Sequence, residues 1–395
     1  MDSDRPYAVT ILTHEGGKPP LEQSVVQLLT DFFLCARVRL HTYVVASDLE
    51  KSSDKRNGAH AHLTLVDSDL YKKECVQTTN DIPRNLMSEV MFLQCHGVPR
   101  NERKMQPFAG LQFKCPRNKV TESLQKQVVW TWTPPIVMPK VNLHDIVGKT
   151  RLAIVLACHG DQVIQDYLKA VGDKPFPDML IFNLPTIYNP TIEILTSLLV
   201  NIMDAELVSR VPQVLPDGTI SKCNYEDGVV YEVVRAAIMR IFQILKVFDG
   251  DPRGFWGFLQ SVQCISDTRI QKQRQQLVYP KRYDVNDFPN FRTAVSVSTY
   301  TVAMHPEQIY FELKSMQLVS RGENRAVVHE DWTTVAPIEV ADSGDVDKYL
   351  REYQQQRQTA YMPAPLTPDL DSQLTRRESD NEDLRRLLRK LQCHL

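Results

Sequence analysis

The chain has 395 residues, a formal net charge of −2 at pH 7, 43% hydrophobic and 24% charged residues. That length exceeds one small core and points to more than one domain, and the near-neutral balance excludes a surface coated in positive charge for nonspecific nucleic-acid binding. The opening MDSDRPYAVT is not a secretory signal, no apolar run reaches the ~18–20 residues that span a bilayer, and the eight cysteines form no Cys-x-x-Cys pair. The expectation is a soluble protein of the reducing cytoplasm or nucleus, without membrane association.

In chain order, Tyr7–Thr13 reads as a strand and Leu21–Ala36 as an amphipathic helix with Leu21, Val25, Leu28, Leu29 and Phe32 on one stripe. Val38–Val45 is strand again. After the polar loop Lys51–Gly58, the run from His60 through His62-Leu-Thr-Leu-Val66 is expected to form a hairpin with it. A helix is predicted around Asn85–Leu93, then proline-punctuated irregular chain, then the strand Val128–Thr133. Arg151–Cys158 is the most β-like run, apolar throughout and so buried on both faces. A helix over 162–171, the strand Asp178–Leu184 and the helices Thr191–Leu207 and Val229–Phe248 follow. Beyond the polar stretch Gln271–Gln276, the runs Arg292–Met304, Gln308–Ser320 and Ala326–Val340 read as strands. A polar helix over 347–358, the extended linker Met362–Pro368 and a short helix Asn381–Leu395 close the chain. The predicted class is α/β, with α+β as the alternative. The predicted divisions are an α/β domain over 1–175, a helical continuation over 176–275, a β-rich segment over 276–345, and a linker and tail over 346–395.

Period-2 alternation places His60 and His62 on one face of a strand, and the expected hairpin brings Asp48 or Glu50 beside them. Two imidazoles and a carboxylate suit a divalent cation, Mn²⁺ or Mg²⁺, with coordination positions left open for substrate. The His-apolar-His triplet with an upstream acid resembles the second motif of the HUH endonucleases that start rolling-circle replication. The strand Tyr7–Thr13 falls where that family has its first strand. Its third motif, a helix with a nucleophilic tyrosine near a Gly-Asp, is similar to Asp166–Asp173, which holds Tyr167 and Gly172-Asp173. The family's lysine usually stands three residues after the tyrosine, whereas Lys169 stands two after it, and the separation from His62 is long for the family. The resemblance implies a metal that polarises a scissile phosphate of single-stranded DNA, attack by the Tyr167 oxygen, and charge stabilisation by Lys169. It covers residues 7–175. Gly148-Lys149-Thr150 lacks the first glycine of a phosphate loop, so no helicase is implied.

Leu152–Gly160, LAIVLACHG, resembles the histidine motif of caspase-fold cysteine peptidases, whose nucleophile ends the next parallel strand. The next strand, Met179–Thr186, carries no cysteine, and Cys158 directly precedes the histidine, so this reading implies a degenerate caspase-like fold without peptidase activity. The other expectation is a non-enzymatic structural, nucleocapsid-like or scaffolding α/β protein. In the tail, Leu384, Leu387, Leu388, Leu391 and Leu395 recur at intervals of three and four and form an apolar stripe for a protein partner or a second copy of the chain. Arg376-Arg377-Glu378-Ser379 makes Ser379 a phosphorylation candidate at the start of that helix.

Overall fold

Short apolar runs become strands here because neighbouring runs of the same kind lie ready to satisfy both of their edges. The computed structural model describes residues 7–14, 21–36, 38–45, 71–76, 81–84, 86–101, 108–119, 127–132, 136–137, 143–208, 228–262, 265–266, 297–298, 306–322, 325–338 and 345–360. The N-terminal part runs β1 (Val9–His14), α1 (Leu21–Cys35), β2 (Leu40–Val45), β3 (Tyr71–Val76) and β4 (Val90–Gln94). A small antiparallel region follows: β5 (His96–Val98), β6 (Gly110–Gln112), β7 (Lys114–Lys119), β8 (Gln127–Trp132) and β9 (Ile136–Val137), ordered β5-β6-β9 with β7 and β8 paired separately. Next come α2 (Leu143–Val147), β10 (Leu152–Leu156), α3 (Gly160–Val171), β11 (Asp178–Phe182), α4 (Asn189–Val208), α5 (Val229–Val247) and α6 (Pro252–Ser261). The two-residue strands β12 (Ile265–Ser266) and β13 (Val297–Ser298) pair in parallel, and α7 (Pro306–Lys314), β14 (Met316–Arg321) and β15 (Val327–Glu330) complete this unit.

Eight strands make one sheet in the order β15-β14-β11-β10-β4-β1-β2-β3. The six from β3 to β11 are all parallel; β14 joins β11 antiparallel, and β15 joins β14 the same way. By sequence rank the parallel part reads 3-2-1-4-5-6, the order of a doubly wound sheet whose winding reverses between β1 and β4. The strands at its centre are buried along their whole length, as parallel strands covered on both faces must be. Alternation divides their side chains. Leu12, Met91, Leu93, Ala153, Val155, Met179 and Ile181 pack with Val163, Ile164, Tyr167 and Val171 of α3 and with Leu143, Ile146 and Val147 of α2. The opposite face, with Ile11, Phe92, Ile154 and Leu180, carries the helix layer in which α1 packs on α4 and α4 on α5. Arg235 of α5 reaches Asp178 of β11 (3.4 Å) and Glu330 of β15 (2.6 Å), stitching that layer to the sheet.

The α/β class holds, and several elements differ from the reading above. Val90–Leu93, in the helix expected over Asn85–Leu93, belongs to a central strand: four consecutive apolar residues fit either period, and the edges of β1 and β10 decide for β. β2 has β1 on one edge and β3 on the other, both parallel, where a hairpin was expected with the run from His60, which lies outside the described residues. Pro306–Lys314, inside a segment read as strands, is helix because Ile309, Tyr310 and Leu313 recur at helical spacing and are buried while Phe311 is 63% exposed. Helix α6 was unforeseen, although Asp251 caps it by accepting from the Gly254 N–H (2.9 Å) and Pro252 occupies its first turn. Beyond Val327–Glu330, Asp331 accepts from the Thr333 and Thr334 N–H groups and turns the chain out of the strand.

Residues through Glu339 form one compact unit and Val340–Leu395 a second. Within the second, α8 (Asp345–Ala360) coincides with the expected polar helix and sets the Arg357 guanidinium 6.0 Å from the Tyr353 ring centroid. Among the described residues no helix is long and apolar enough to cross a membrane.

Candidate active site

Two adjacent parallel strands end in the same triplet: β4 runs into Cys95-His96-Gly97 and β10 into Cys158-His159-Gly160. The last registered pair between them is Leu156↔Gln94, and Cys158 and His96 each stand two residues beyond it, Cys158 in the turn into α3 and His96 at the start of β5. Both line a small cleft bounded by His14, Val25 of α1, Ile187, and Ile192 and Glu193 of α4. It lies beyond the carboxyl ends of β1, β4 and β10, at the point where the winding reverses, which is where open α/β sheets hold ligands. The turn after β1, His14-Glu-Gly-Gly-Lys-Pro-Pro20, is not the Gly-x-Gly-x-x-Gly of dinucleotide sites.

The backbone around Cys158 is drawn tight. A Cβ on Gly97 would lie 1.5 Å from the Cys158 carbonyl oxygen, so only glycine allows the His96 segment to lie against the cysteine. His159 turns the chain from strand to helix in a left-handed conformation (φ 56°), a cost of about 1–3 kcal/mol for a residue with a Cβ. Its N–H donates to the Leu184 carbonyl (2.8 Å) while its own carbonyl accepts from Gln162 and Val163, so the turn is pinned at both ends. The Ile187 N–H, from the loop after β11, donates to Cys158 Sγ at 3.3 Å.

The segment that carries His96 is clamped to α3. The Arg100 guanidinium donates to both oxygens of Asp166 (2.8 and 2.7 Å), and the Ala109 N–H donates to the same carboxylate (2.8 Å). The Arg100 N–H also donates to Gln162 Oε1 (3.1 Å). Burial pushes the Asp166 pKa up, but the Arg100 hydrogen bond, the Ala109 N–H and the guanidinium charge together hold it below the usual carboxylate range. On the far wall, Thr13 Oγ1 donates to Gln94 Oε1 (3.3 Å), and the His14 and His96 ring centroids stand 5.6 Å apart. Cys95 falls on the opposite face of the sheet, in the core with Ala157 and Val155, and burial raises its thiol pKa.

A thiol and an imidazole that leave adjacent strand ends into one cleft are the parts of a nucleophile and its base. In the sequence alone, Leu152–Gly160 reads as a histidine-bearing strand with no cysteine on the next. The fold inverts that assignment: β10 is the cysteine strand, and the histidine is supplied by β4. The repeat of Cys-His-Gly behind two apolar runs was the available signal. The helix expected over Asn85–Leu93 masks it, because the first triplet then no longer follows a strand.

Of the other predicted site residues, Asp48, Glu50, His60, His62, Ser379, Leu384, Leu387, Leu388, Leu391 and Leu395 lie outside the described residues. Tyr167 is fully buried, its hydroxyl 3.1 Å from His144 Nδ1 and its ring edge-on to Phe176. Burial raises its pKa, and a phenol so enclosed meets neither solvent nor a nucleic-acid strand. Lys169, two residues on, is exposed. Among the described residues no group of three or more His, Cys, Asp or Glu side chains is placed to hold a metal ion.

Comparison with protein-family models, curated proteins and solved structures finds no match to this chain.

Proposed function

We propose that the protein is a cysteine-dependent acyl hydrolase of peptidase type, with Cys158 as nucleophile and His96 as general base. The observation that carries this reading is that both residues line one cleft just beyond the ends of adjacent parallel strands, with Gly97 holding the histidine segment against the cysteine backbone. The arrangement is similar to that of caspase-fold cysteine peptidases, in which the histidine follows one strand and the nucleophile the next.

The chemistry follows from the two groups. His96 takes the thiol proton as Cys158 Sγ attacks an acyl carbon, and the proton passes to the departing amine as the C–N bond breaks. Water, deprotonated by the same imidazole, then attacks the thioester, releasing a carboxylic acid and regenerating the thiol. The Ile187 N–H steadies the sulfur between turnovers.

A fluorogenic peptide library and iodoacetamide test the proposal. Substrate cleavage should disappear in Cys158→Ala and fall at least ~10³-fold in His96→Ala. Mass spectrometry should find Cys158 alkylated well before Cys95, and more slowly in His96→Ala. Indifference of Cys158 alkylation to the loss of His96, together with no cleavage of any library member, would remove the dyad.

A further inference from the structure

The loop between β11 and α4, residues 183–188, supplies both the N–H that holds the Cys158 sulfur and the Ile187 side of the cleft. Where it turns into α4, Pro190 and the Thr191 N–H, which donates to the Tyr188 carbonyl (2.9 Å), fix part of the backbone locally. The Tyr188 N–H and the Thr191 hydroxyl are satisfied from far along the chain. Glu312 of α7, 4% exposed, accepts from the Tyr188 N–H (2.8 Å) and from the Thr191 hydroxyl (2.5 Å) on one oxygen, and from the Gln308 side-chain amide (2.8 Å) on the other. Helix α7 is itself held. The Tyr310 hydroxyl donates to the Phe248 carbonyl (2.7 Å), Tyr310 packs against Phe255, and the Ser315 N–H donates to the Phe311 and Glu312 carbonyls (3.1 Å each) at the end of the helix. At its exit, the Asn183 N–H donates to the Ser315 carbonyl (3.0 Å), so the loop is tied to the α7–β14 segment at both ends.

We infer that Glu312 is a positioning residue for the nucleophile: through the Tyr188 N–H and Thr191 hydroxyl it sets the 183–188 loop so that the Ile187 N–H points at Cys158 Sγ. The inference rests on the cysteine reading of the cleft. A buried side chain with three converging donors orders the loop before any substrate arrives, and an N–H aimed at sulfur favours the thiolate that attacks. The titratable groups that line the cleft with Cys158, namely His14, His96 and Glu193, the adjacent His159, and the core thiol of Cys95 behind the sheet are left in place when Glu312 is changed.

The test is the pH dependence of Cys158 alkylation by iodoacetamide, followed by mass spectrometry in the full chain. Glu312→Ala should slow alkylation at pH 7 roughly tenfold and move the titration of the rate up by about one unit. Glu312→Gln should stay within about twofold of wild type. Its amide oxygen can accept from Tyr188 and Thr191, and its amide nitrogen can face a flipped Gln308. Thr191→Val removes one donor without changing volume and should slow alkylation by roughly threefold; it decides the matter if Glu312→Ala does not fold. A folded Glu312→Ala, or in its place Thr191→Val, with a rate profile that superimposes on wild type overturns the inference. Glu312→Gln as slow as Glu312→Ala overturns it too, since charge and not hydrogen bonding would then be at work. Alkylation needs no turnover, so absence of hydrolase activity would sink the proposed reaction and leave this result standing.

Discussion

Gly97 and Gly172 separate two reasons for a glycine. At Gly172 the backbone takes φ 58° with ψ −126°, a conformation nearly confined to glycine, and a Cβ would meet nothing within 4 Å, so Gly172→Ala should cost about 1–3 kcal/mol of local strain and leave the site unchanged. At Gly97 the obstacle is the Cys158 carbonyl, backbone that does not swing aside. Gly97→Ala must move the His96 segment by an ångström or more, and displacement on that scale costs about 10²-fold in catalysis. The expected result is a folded Gly97→Ala protein, destabilised by roughly 1–3 kcal/mol in urea, with peptide cleavage at least a hundredfold down. Cleavage at the wild-type rate would mean that Gly97 is not what seats the histidine.

At the scale of elements, α3 does two tasks. Its apolar stripe of Val163, Ile164, Tyr167 and Val171 covers the sheet, while Asp166 and Gln162 on a neighbouring line hold Arg100 and with it the chain that leaves His96. Asp166→Ala leaves a guanidinium and the Ala109 N–H without their acceptor and should cost about 3 kcal/mol at neutral pH. The sign of the pH dependence follows from a depressed folded pKa. The stabilisation is complete above the unfolded aspartate value of about 3.9 and is lost as pH falls through the lower folded value. Denaturation midpoints of wild type and Asp166→Asn should therefore differ most above pH 5 and converge towards pH 2. A gap that persists at pH 2 would assign the loss to packing and not to ionisation.

For the whole molecule, the informative feature is the antiparallel extension. Helix α7 and strands β14 and β15 come more than a hundred residues after β11, yet β14 completes the ladder on β11 and Glu312 of α7 holds the start of α4 beside the cleft. Of the segment expected as a β-rich addition over 276–345, β14 and β15 are thus built into the main sheet. A fragment ending at residue 275 leaves β11, with Met179, Leu180, Ile181 and Phe182 all buried in the full chain, as an open apolar edge. That fragment should aggregate on expression or bind a hydrophobic dye as a collapsed state. A soluble fragment with a cooperative melt near that of the full chain would show the extension to be dispensable.

Much of the architecture was legible without coordinates because it is local. The apolar runs at Tyr7–Thr13, Arg151–Cys158 and Asp178–Leu184 and the helical stripes at Leu21–Ala36, Thr191–Leu207 and Val229–Phe248 carry their own periodicity, and each is found as strand or helix within a few residues of the expected bounds. Caps and turns such as Asp251-Pro252 were equally present and were passed over. What the sequence could not determine is which strand lies beside which. Val90–Gln94 becomes a strand only because β1 and β10 offer it two edges, and that pairing turns two separate Cys-His-Gly triplets into one cleft with the cysteine of one and the histidine of the other. The same holds for Glu312, whose hydrogen bonds to Tyr188 and Thr191 exist only after a chain reversal of over a hundred residues. Side-chain periodicity is a property of the next few residues, whereas an active site is made of contacts between residues that only the closed sheet brings together.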